Sequence, residues 1–300
     1  MTLARILKHL AANGIIKEVG QDQYVGTPFS GATNDPTISA GLIYSFEGMI
    51  PTFHGLPEYL AKIDYQTPQD SDNGPVQFGL RTEKPFFGIL QEHPRLGSAF
   101  NNFMAGYAKV RPRWVDFYPV KERLLDNDQS SGTFLVDVGG GLGHELADLH
   151  KKHPDIAGQL VLQDLPSVIS EAQASAALPS AIKAIAHDFF KPQPAEYCGA
   201  RAYFMRLILH DWPDAKCGVI LSNLRQAMKE GYSKLLINET VLRDTVAPWQ
   251  QTSLDMTMLS MLISKERTES QWRGILSAAG LKISGIWTEG NENVIEAVIA

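Results

Sequence analysis

Cysteine is scarce: Cys198 and Cys217 are the only two in 300 residues. Two thiols are too few for a disulfide framework and fit a reducing compartment, where free cysteine is usually a small core residue. Long apolar runs are missing too. No stretch approaches the ~20 residues of a membrane span. The N-terminus, M-T-L-A-R-I-L-K-H-L, lacks the apolar core and small-residue cleavage site of a signal peptide. Positive charge is not in excess: 27 Lys and Arg against 33 Asp and Glu leave a net −6, which argues against a protein driven onto nucleic acid by phosphate contacts. No G-x-S-x-G elbow is present, which disfavours a serine hydrolase, and there is no repeat or low-complexity tract. What is left, 44% hydrophobic and 20% charged residues, describes a globular chain of about two domains. The expectation is a cytoplasmic enzyme with a small-molecule substrate and no nucleic-acid or membrane partner.

The chain is organised around Thr133 to Gly143, T-F-L-V-D-V-G-G-G-L-G. The run from Phe134 to Val138 favours a strand. Leu146, Ala147 and Leu149 then recur at helical spacing. The glycines therefore sit on a strand-to-helix turn, where positive φ and close backbone approach are needed, and the first helical turn offers free N–H groups. This predicts the ligand crevice of a doubly wound, Rossmann-like α/β fold with a mostly parallel sheet. The ligand is a dinucleotide or S-adenosylmethionine. Two details favour the second: His144 stands where G-x-G-x-x-G would place its last glycine, and Asp137, just before the glycines, suits a cationic ligand and opposes a pyrophosphate.

Ahead of this turn, Leu3, Ile6, Leu7 and Leu10 form one helical face, and Ile15–Val19 and Gln23–Thr27 read as a hairpin. Helix plus hairpin is the second half of a winged helix, but Arg5, Lys8 and Lys17 are too few cations for a DNA-reading face. Ile38 to Lys62 is helical with a new segment at Pro51, Tyr65 to Lys84 reads as a loop, and Gly88 to His93 and Arg95 to Tyr107 are helical. Phe103 and Met104, in the last of these, pack a helical core or line a substrate pocket. The polar stretch Asp126–Gly132 sets the boundary, giving residues 1–125 as a mostly helical winged-helix-type domain and 126–300 as the Rossmann-like domain.

Beyond the glycines, strands and helices alternate. Strands are expected at 160–164, 182–188, 202–208 and 234–239, helices at 167–176, 215–230, 250–262 and 268–279, and a terminal strand pair at 281–288 and 293–299. Asp164, Asp188, His210 and Glu239 fall at or just past strand ends, where such sheets bind ligands. Asp164, 23 residues after Gly141, suits a ribose or caps the next helix. Asp188 and Phe189 suit an adenine, or are a loop acid and a core ring. In R-L-I-L-H-D-W-P-D, an apolar strand ends in His210. An imidazole there can act as a base, with Glu239 or Glu266 on Nδ1 to fix the tautomer and leave Nε2 free. His144, His150 and His153 have no acid or Cys to complete a metal set, and no metal is expected.

Together, V-D-V-G-G-G-L-G-H, L-Q-D-L-P-S-V-I, H-D-F-F, Y-F-M-R-L-I-L-H-D-W-P-D, I-N-E-T-V-L and K-E-R-T-E-S-Q-W resemble, in order and spacing, the plant- and fungal-type small-molecule O-methyltransferases that use S-adenosylmethionine (the caffeate and sterigmatocystin type). The fungal branch of secondary metabolism is the nearest. The resemblance implies that Gly139, Gly140 and Gly141 pass close to the methionine part of the cofactor, Asp164 holds the ribose, and Asp188 and Phe189 the adenine. Arg206 stands where plant relatives usually carry Lys. His210 is implied as the base flanked by Glu239 and Glu266, acting on a phenolic hydroxyl, with Trp212, Met256, Met258, Met261 and Leu262 bordering the acceptor pocket. Family members begin with extra pairing helices, whereas Met1 falls inside the winged-helix segment. The chain reads as a shortened or truncated relative, which weakens the expectation of a homodimer. The alternative is an enzyme on the same scaffold that binds the cofactor but catalyses a pericyclic or dehydration step. A regulatory DNA-binding role is the third reading.

Overall fold

A computed structural model describes residues 2–68, 70, 72–109, 111–126, 132–174 and 178–300, without the side chains of 105, 108 and 109. Most of the expected polar boundary (127–131) and the expected end of the helix after Ser167 (175–176) lie outside the described residues. The chain divides into two compact units, Met1–Thr67 with Ser71–Arg111, and Pro68–Asp70 with Pro112–Ala300.

The first unit opens with the helix Thr2–Ala12 and an antiparallel pair, β1 (Ile16–Gly20) and β2 (Gln23–Gly26). Short helices follow, several started by a proline whose fixed φ suits the first helical turn. Thr27 and Ser30 form a reciprocal capping box on Pro28–Ala32, and the Asp35 carboxylate accepts from the Thr37 amide to start Pro36–Tyr44. A wider turn, Ser45–Met49, leads into Ile50–Lys62. Aromatic rings fill the interior: Tyr44 packs on Phe100 at 5.3 Å and on Phe103 at 5.8 Å.

The stretch Tyr65–Lys84, expected as a loop throughout, is helical at Pro75–Leu80. Gln77 is buried and accepts from the Gly74 amide, and a side chain at Gly79 would meet Thr52 Cα at 2.6 Å. The helix forms through this close backbone contact, which its polar, glycine-containing composition does not advertise.

The second unit is a seven-stranded sheet. Its strands are β3 (Thr133–Val138), β4 (Gln159–Asp164), β5 (Ile182–Ala186), β6 (Ala202–Arg206) and β7 (Lys234–Glu239), followed, past the two-residue strands β8 (Val241–Leu242) and β9 (Arg267–Thr268), by β10 (Leu281–Glu289) and β11 (Glu292–Ile299). The order is β10-β11-β7-β6-β3-β4-β5. β3 through β7 are parallel, and β11 runs antiparallel to both β7 and β10. The doubly wound expectation therefore holds. β3 pairs with β4 on one side and β6 on the other, so the strand order reverses there, and the crevice above such a point is where open α/β sheets bind ligands. Two loops meet that crevice, the glycine turn after β3 and the turn after β6. β6 stops at Arg206, two residues earlier than expected, because Leu207 has φ +53°.

Both faces of the sheet are covered. Cys217, Ile220, Leu221, Leu224, Trp272 and Leu276 pack on one side. Trp114, Tyr118, Leu124, Leu146, Leu149 and Ile169 pack on the other. The division between the compact units falls at Pro112, earlier than the polar stretch, and Trp114, Tyr118 and Leu124 are buried in this second core. β8 and β9 pair in parallel, Val241 opposite Arg267. This small ladder brings the 266–268 segment to the carboxyl end of β7. Among the described residues, no helix is long and apolar enough to cross a membrane.

Candidate active site

The turn after β3 adopts the conformation that its glycines permit. Gly139, Gly141 and Gly143 have φ of +73°, +59° and +83°. The amides of Gly139 and Gly140 donate to the Gln163 carbonyl at 2.8 and 3.1 Å, and that of Gly141 donates to Asp164 Oδ2 at 2.9 Å. Gln163 is itself fixed by a buried reciprocal amide pair with Gln193, 2.8 and 3.0 Å. A Cβ at Gly140 would lie 2.4 Å from Asp137 Oδ2, whereas one at Gly141 would meet nothing within 4 Å. The turn is packed tight on one side and open on the other.

Asp137 is buried at the end of β3 with neither oxygen hydrogen-bonded. Burial, and secondarily the Asp164 charge, push its pKa up to about 7, with Arg206 opposing. An unmatched acid beside an open glycine turn suits a cationic ligand. Arg206 is ion-paired with Glu145 in the first turn of the helix His144–Lys152. Asp164 is half-buried, its second oxygen accepting from the Leu165 amide at 2.7 Å. Past β5, Asp188 Oδ1 accepts from the Phe190 amide at 3.0 Å. Phe189 comes to the glycine turn, 3.6 Å from a Cβ at Gly139, while Ile208 after β6 lies 2.7 Å from the same point. The β3, β5 and β6 loops thus converge.

The turn after β6 carries His210 within Leu209–Asp211. The ring is buried, with Nδ1 2.7 Å from Glu266 Oε1 and Nε2 3.4 Å from Asp211 Oδ1. Glu239 lies farther from the ring, Oε2 being 3.9 Å from Nδ1. Its Oε1 instead accepts from three successive amides, Ile208 at 3.1, Leu209 at 2.7 and His210 at 3.3 Å. Burial by itself would lower the His210 pKa. The charge of Glu239 and the hydrogen bond to Glu266 overcome it and raise the value to about 10. Burial raises Glu239 to about 7 and Asp211 to about 6. His210, Glu239 and Glu266 are also, among the described residues, the one set of three or more His, Cys, Asp or Glu with ligand atoms within 4.8 Å of one another.

The residues expected at the acceptor differ in exposure and belong to both units. On the helix Trp249–Leu262, Met256 is 41% exposed and Met261 is 3% exposed. Trp212 packs edge-on against Phe190 at 4.9 Å. Phe103 and Met104 belong to the first unit, both half-buried, with Phe103 stacked between Tyr44 and Tyr107. Sequence reasoning missed the Gln163–Gln193 pair, the Glu145 partner of Arg206, Asp211 beside Nε2, and Arg267 and Ser264 around the His210 turn. For Arg267 a signal existed: a cation directly after a predicted orienting acid.

Residues 102–282 match the model of an O-methyltransferase domain family. The chain is 34% identical over 297 residues to O-methyltransferase mfmE of Annulohypoxylon moriforme, covering 98% of this chain and 72% of that protein. It is 32% identical over 298 residues to demethylsterigmatocystin 6-O-methyltransferase of Aspergillus parasiticus, covering 99% and 75%. Among solved structures it is similar to a pericyclic reaction enzyme (TM-score 0.87, 30% identity) and to LepI in complex with SAM (0.86, 30%), each match covering 100% of this chain and 76% of the other. It is also similar to OxaC in complex with SAH and oxaline (0.84, 26%, 100% and 75%). The open glycine turn, the acids that end β3 and β4, and these similarities lead to one statement: the chain belongs to the S-adenosylmethionine-dependent O-methyltransferases of fungal secondary metabolism.

Proposed function

We propose that the protein methylates a phenolic hydroxyl of an aromatic, polyketide-type secondary metabolite, with His210 as general base. The observation that carries this reading is the buried 2.7 Å contact between His210 Nδ1 and Glu266, on a loop that touches the glycine turn. In this reading Gly139, Gly140 and Gly141 receive the methionine end of the cofactor. Asp137 faces its positive charge, Asp164 the ribose, and Asp188 and Phe189 the adenine. Arg206, through Glu145, braces the turn. When bound, S-adenosylmethionine supplies an electrophilic methyl on a sulfonium. A phenol has a pKa of about 10 and is hardly ionised at neutral pH, so His210 Nε2 removes its proton as the oxygen attacks. Glu266 fixes the ring through Nδ1 and stabilises the imidazolium that forms. The neighbouring acids hold a proton on the ring, so turnover should rise with pH well past the ordinary imidazole value of about 6.5. Trp212, Met256, Met261, Phe103 and Met104 remain candidates for the acceptor surface. Leu3 and Ile6, exposed on a helix with no buried residue, support pairing with a second copy, which light scattering would test.

Transfer of labelled methyl from S-adenosylmethionine to a panel of phenolic polyketides is the direct test. His210→Ala should keep affinity for the cofactor and lose about 10²–10⁴-fold in turnover. Weak cofactor binding with normal turnover would overturn the base assignment. A product of unchanged or water-depleted mass would favour the pericyclic or dehydration reading.

A further inference from the structure

We propose that Arg267 is a positioning residue, which holds the His210 turn by its carbonyl groups while Glu239 holds the same turn by its amides. Three amides of this turn, at 208–210, and three of its carbonyls, at 209, 210 and 212, are tied from outside it. On the amide side, Glu239 Oε1 takes the N–H groups of 208, 209 and 210. On the carbonyl side, Arg267 Nη1 donates to Leu209 O at 2.9 Å and Nη2 to Trp212 O at 2.8 Å, one carbonyl on each flank of His210. Ser264 Oγ donates to the carbonyl of His210 itself. Cys217 Sγ adds contacts to Leu209 O and Trp212 O at 3.2 and 3.3 Å.

Arg267 is anchored in its turn. Its side chain is fully buried, Nε and Nη2 reach Asp214 Oδ1 at 2.9 and 2.8 Å, and the guanidinium lies 5.3 Å from the Trp272 ring centroid. A planar fork can meet two carbonyls and a carboxylate at once; a point-like ammonium cannot. The preceding residue, Glu266, is the partner of His210 Nδ1, so one short segment sets both the ring's hydrogen bond and the backbone beneath the ring. The turn needs such support, because Leu207 leads into it at φ +53°, a conformation that costs a branched residue free energy and persists only when its surroundings impose it. Held this way, the ring stays where a proton acceptor is useful, since misplacement by ~1 Å can cost about 10²-fold.

The idea rests on His210 being the base, but its test does not. Arg267→Lys keeps the charge among Glu239, Glu266, Asp211 and Asp214 and removes the fork. The His210 imidazole is followed by ¹⁵N-resolved NMR, with SAH calorimetry to show that the glycine turn is intact. The wild type should show a protected Nδ1–H held by Glu266. In Arg267→Lys that proton should exchange freely, and the His210 titration should fall by at least about one pH unit as the Glu266 contact loosens, with SAH still bound. An unchanged Nδ1–H and titration, whatever the loss of thermal stability, would reduce Arg267 to a core residue and overturn the proposal. If Arg267→Lys does not bind SAH, Asp214→Ala decides on the same readings. Asp214 is half-exposed, and its carboxylate accepts from the Arg267 guanidinium and from Lys265 rather than from the turn's amides, so an unperturbed imidazole there would overturn it as well.

Discussion

Asp137→Asn should stabilise the free protein, and by an amount that depends on pH. The carboxyl is buried with both oxygens unmatched, and its pKa stands near 7 against 3.8 for an ordinary aspartate. A raised folded-state pKa means that stability is complete below the unfolded value and is lost as pH rises through the folded one. The window is therefore about pH 4 to 7. Three units at about 1.4 kcal/mol each put the loss on the order of 4 kcal/mol. Asparagine has nearly the same shape and does not ionise, so the variant escapes this loss. Denaturant unfolding without cofactor at pH 4.5, 6 and 8 should show a gap between the two proteins that widens with pH and levels off above neutrality. Adding S-adenosylmethionine should narrow the gap, because the cation compensates a carboxylate and not an amide. A difference that is the same at all three pH values would refute the argument, since it would then reflect packing rather than charge.

Glu239→Gln and Glu266→Gln should behave differently. Gln at 239 retains an oxygen for the three amides and should keep most turnover with the pH profile shifted down, whereas Gln at 266 should cost at least about tenfold in turnover by loosening the ring; steady-state kinetics across pH separates them. Glu296 is buried, and although burial opposes ionisation, Arg123, Ser284, Tyr118 and Lys234 hold its pKa at about 2. That depressed value stabilises by about 3 kcal/mol above pH 4.5 and is lost as pH falls toward 2, so Glu296→Gln should destabilise at pH 7 and converge on the wild type in acid unfolding curves. Leu207→Gly should remove strain of about 1 kcal/mol at φ +53°, and with the Glu239 and Arg267 contacts intact it should raise the unfolding midpoint or leave it unchanged.

Much of the second unit could be read directly. The apolar run into three glycines gives β3 and its turn, because both the strand preference and the need for positive φ are local properties. His210 and Glu239 could likewise be placed at or just past strand ends from periodicity alone. The division of labour between the two glutamates could not, since it depends on which carboxylate oxygen reaches which amide across 30 residues. Nor could β8 and β9, two residues each, too short for any pattern, although they bring Glu266 and Arg267 to the site. Met256 and Met261 are a different case. Five positions on a helix turn by about 140° beyond a full circle, so their opposite exposures follow from spacing. Their place at the acceptor pocket is what the family resemblance implies, and periodicity alone does not supply it.

The two ends of the sheet handle buried charge in opposite ways. At the carboxyl ends, neither oxygen of Asp137 is hydrogen-bonded, one oxygen each of Glu239 and Glu266 is unmatched, and Leu207 sits in a left-handed conformation. Near the start of β7, by contrast, Glu296 is bonded by Tyr118, Arg123, Lys234 and Ser284. A chain under selection for stability alone would treat both ends alike, because an unmatched buried charge is destabilising wherever it lies. The difference makes sense if the carboxyl ends are completed by a ligand and the other end is not. Neutralising one acid at each end is then a test of the whole arrangement: at pH 7 and without cofactor, Asp137→Asn should raise stability and Glu296→Gln should lower it. Two changes of the same chemical kind would give opposite signs, which a difference in burial cannot produce, because both residues are buried.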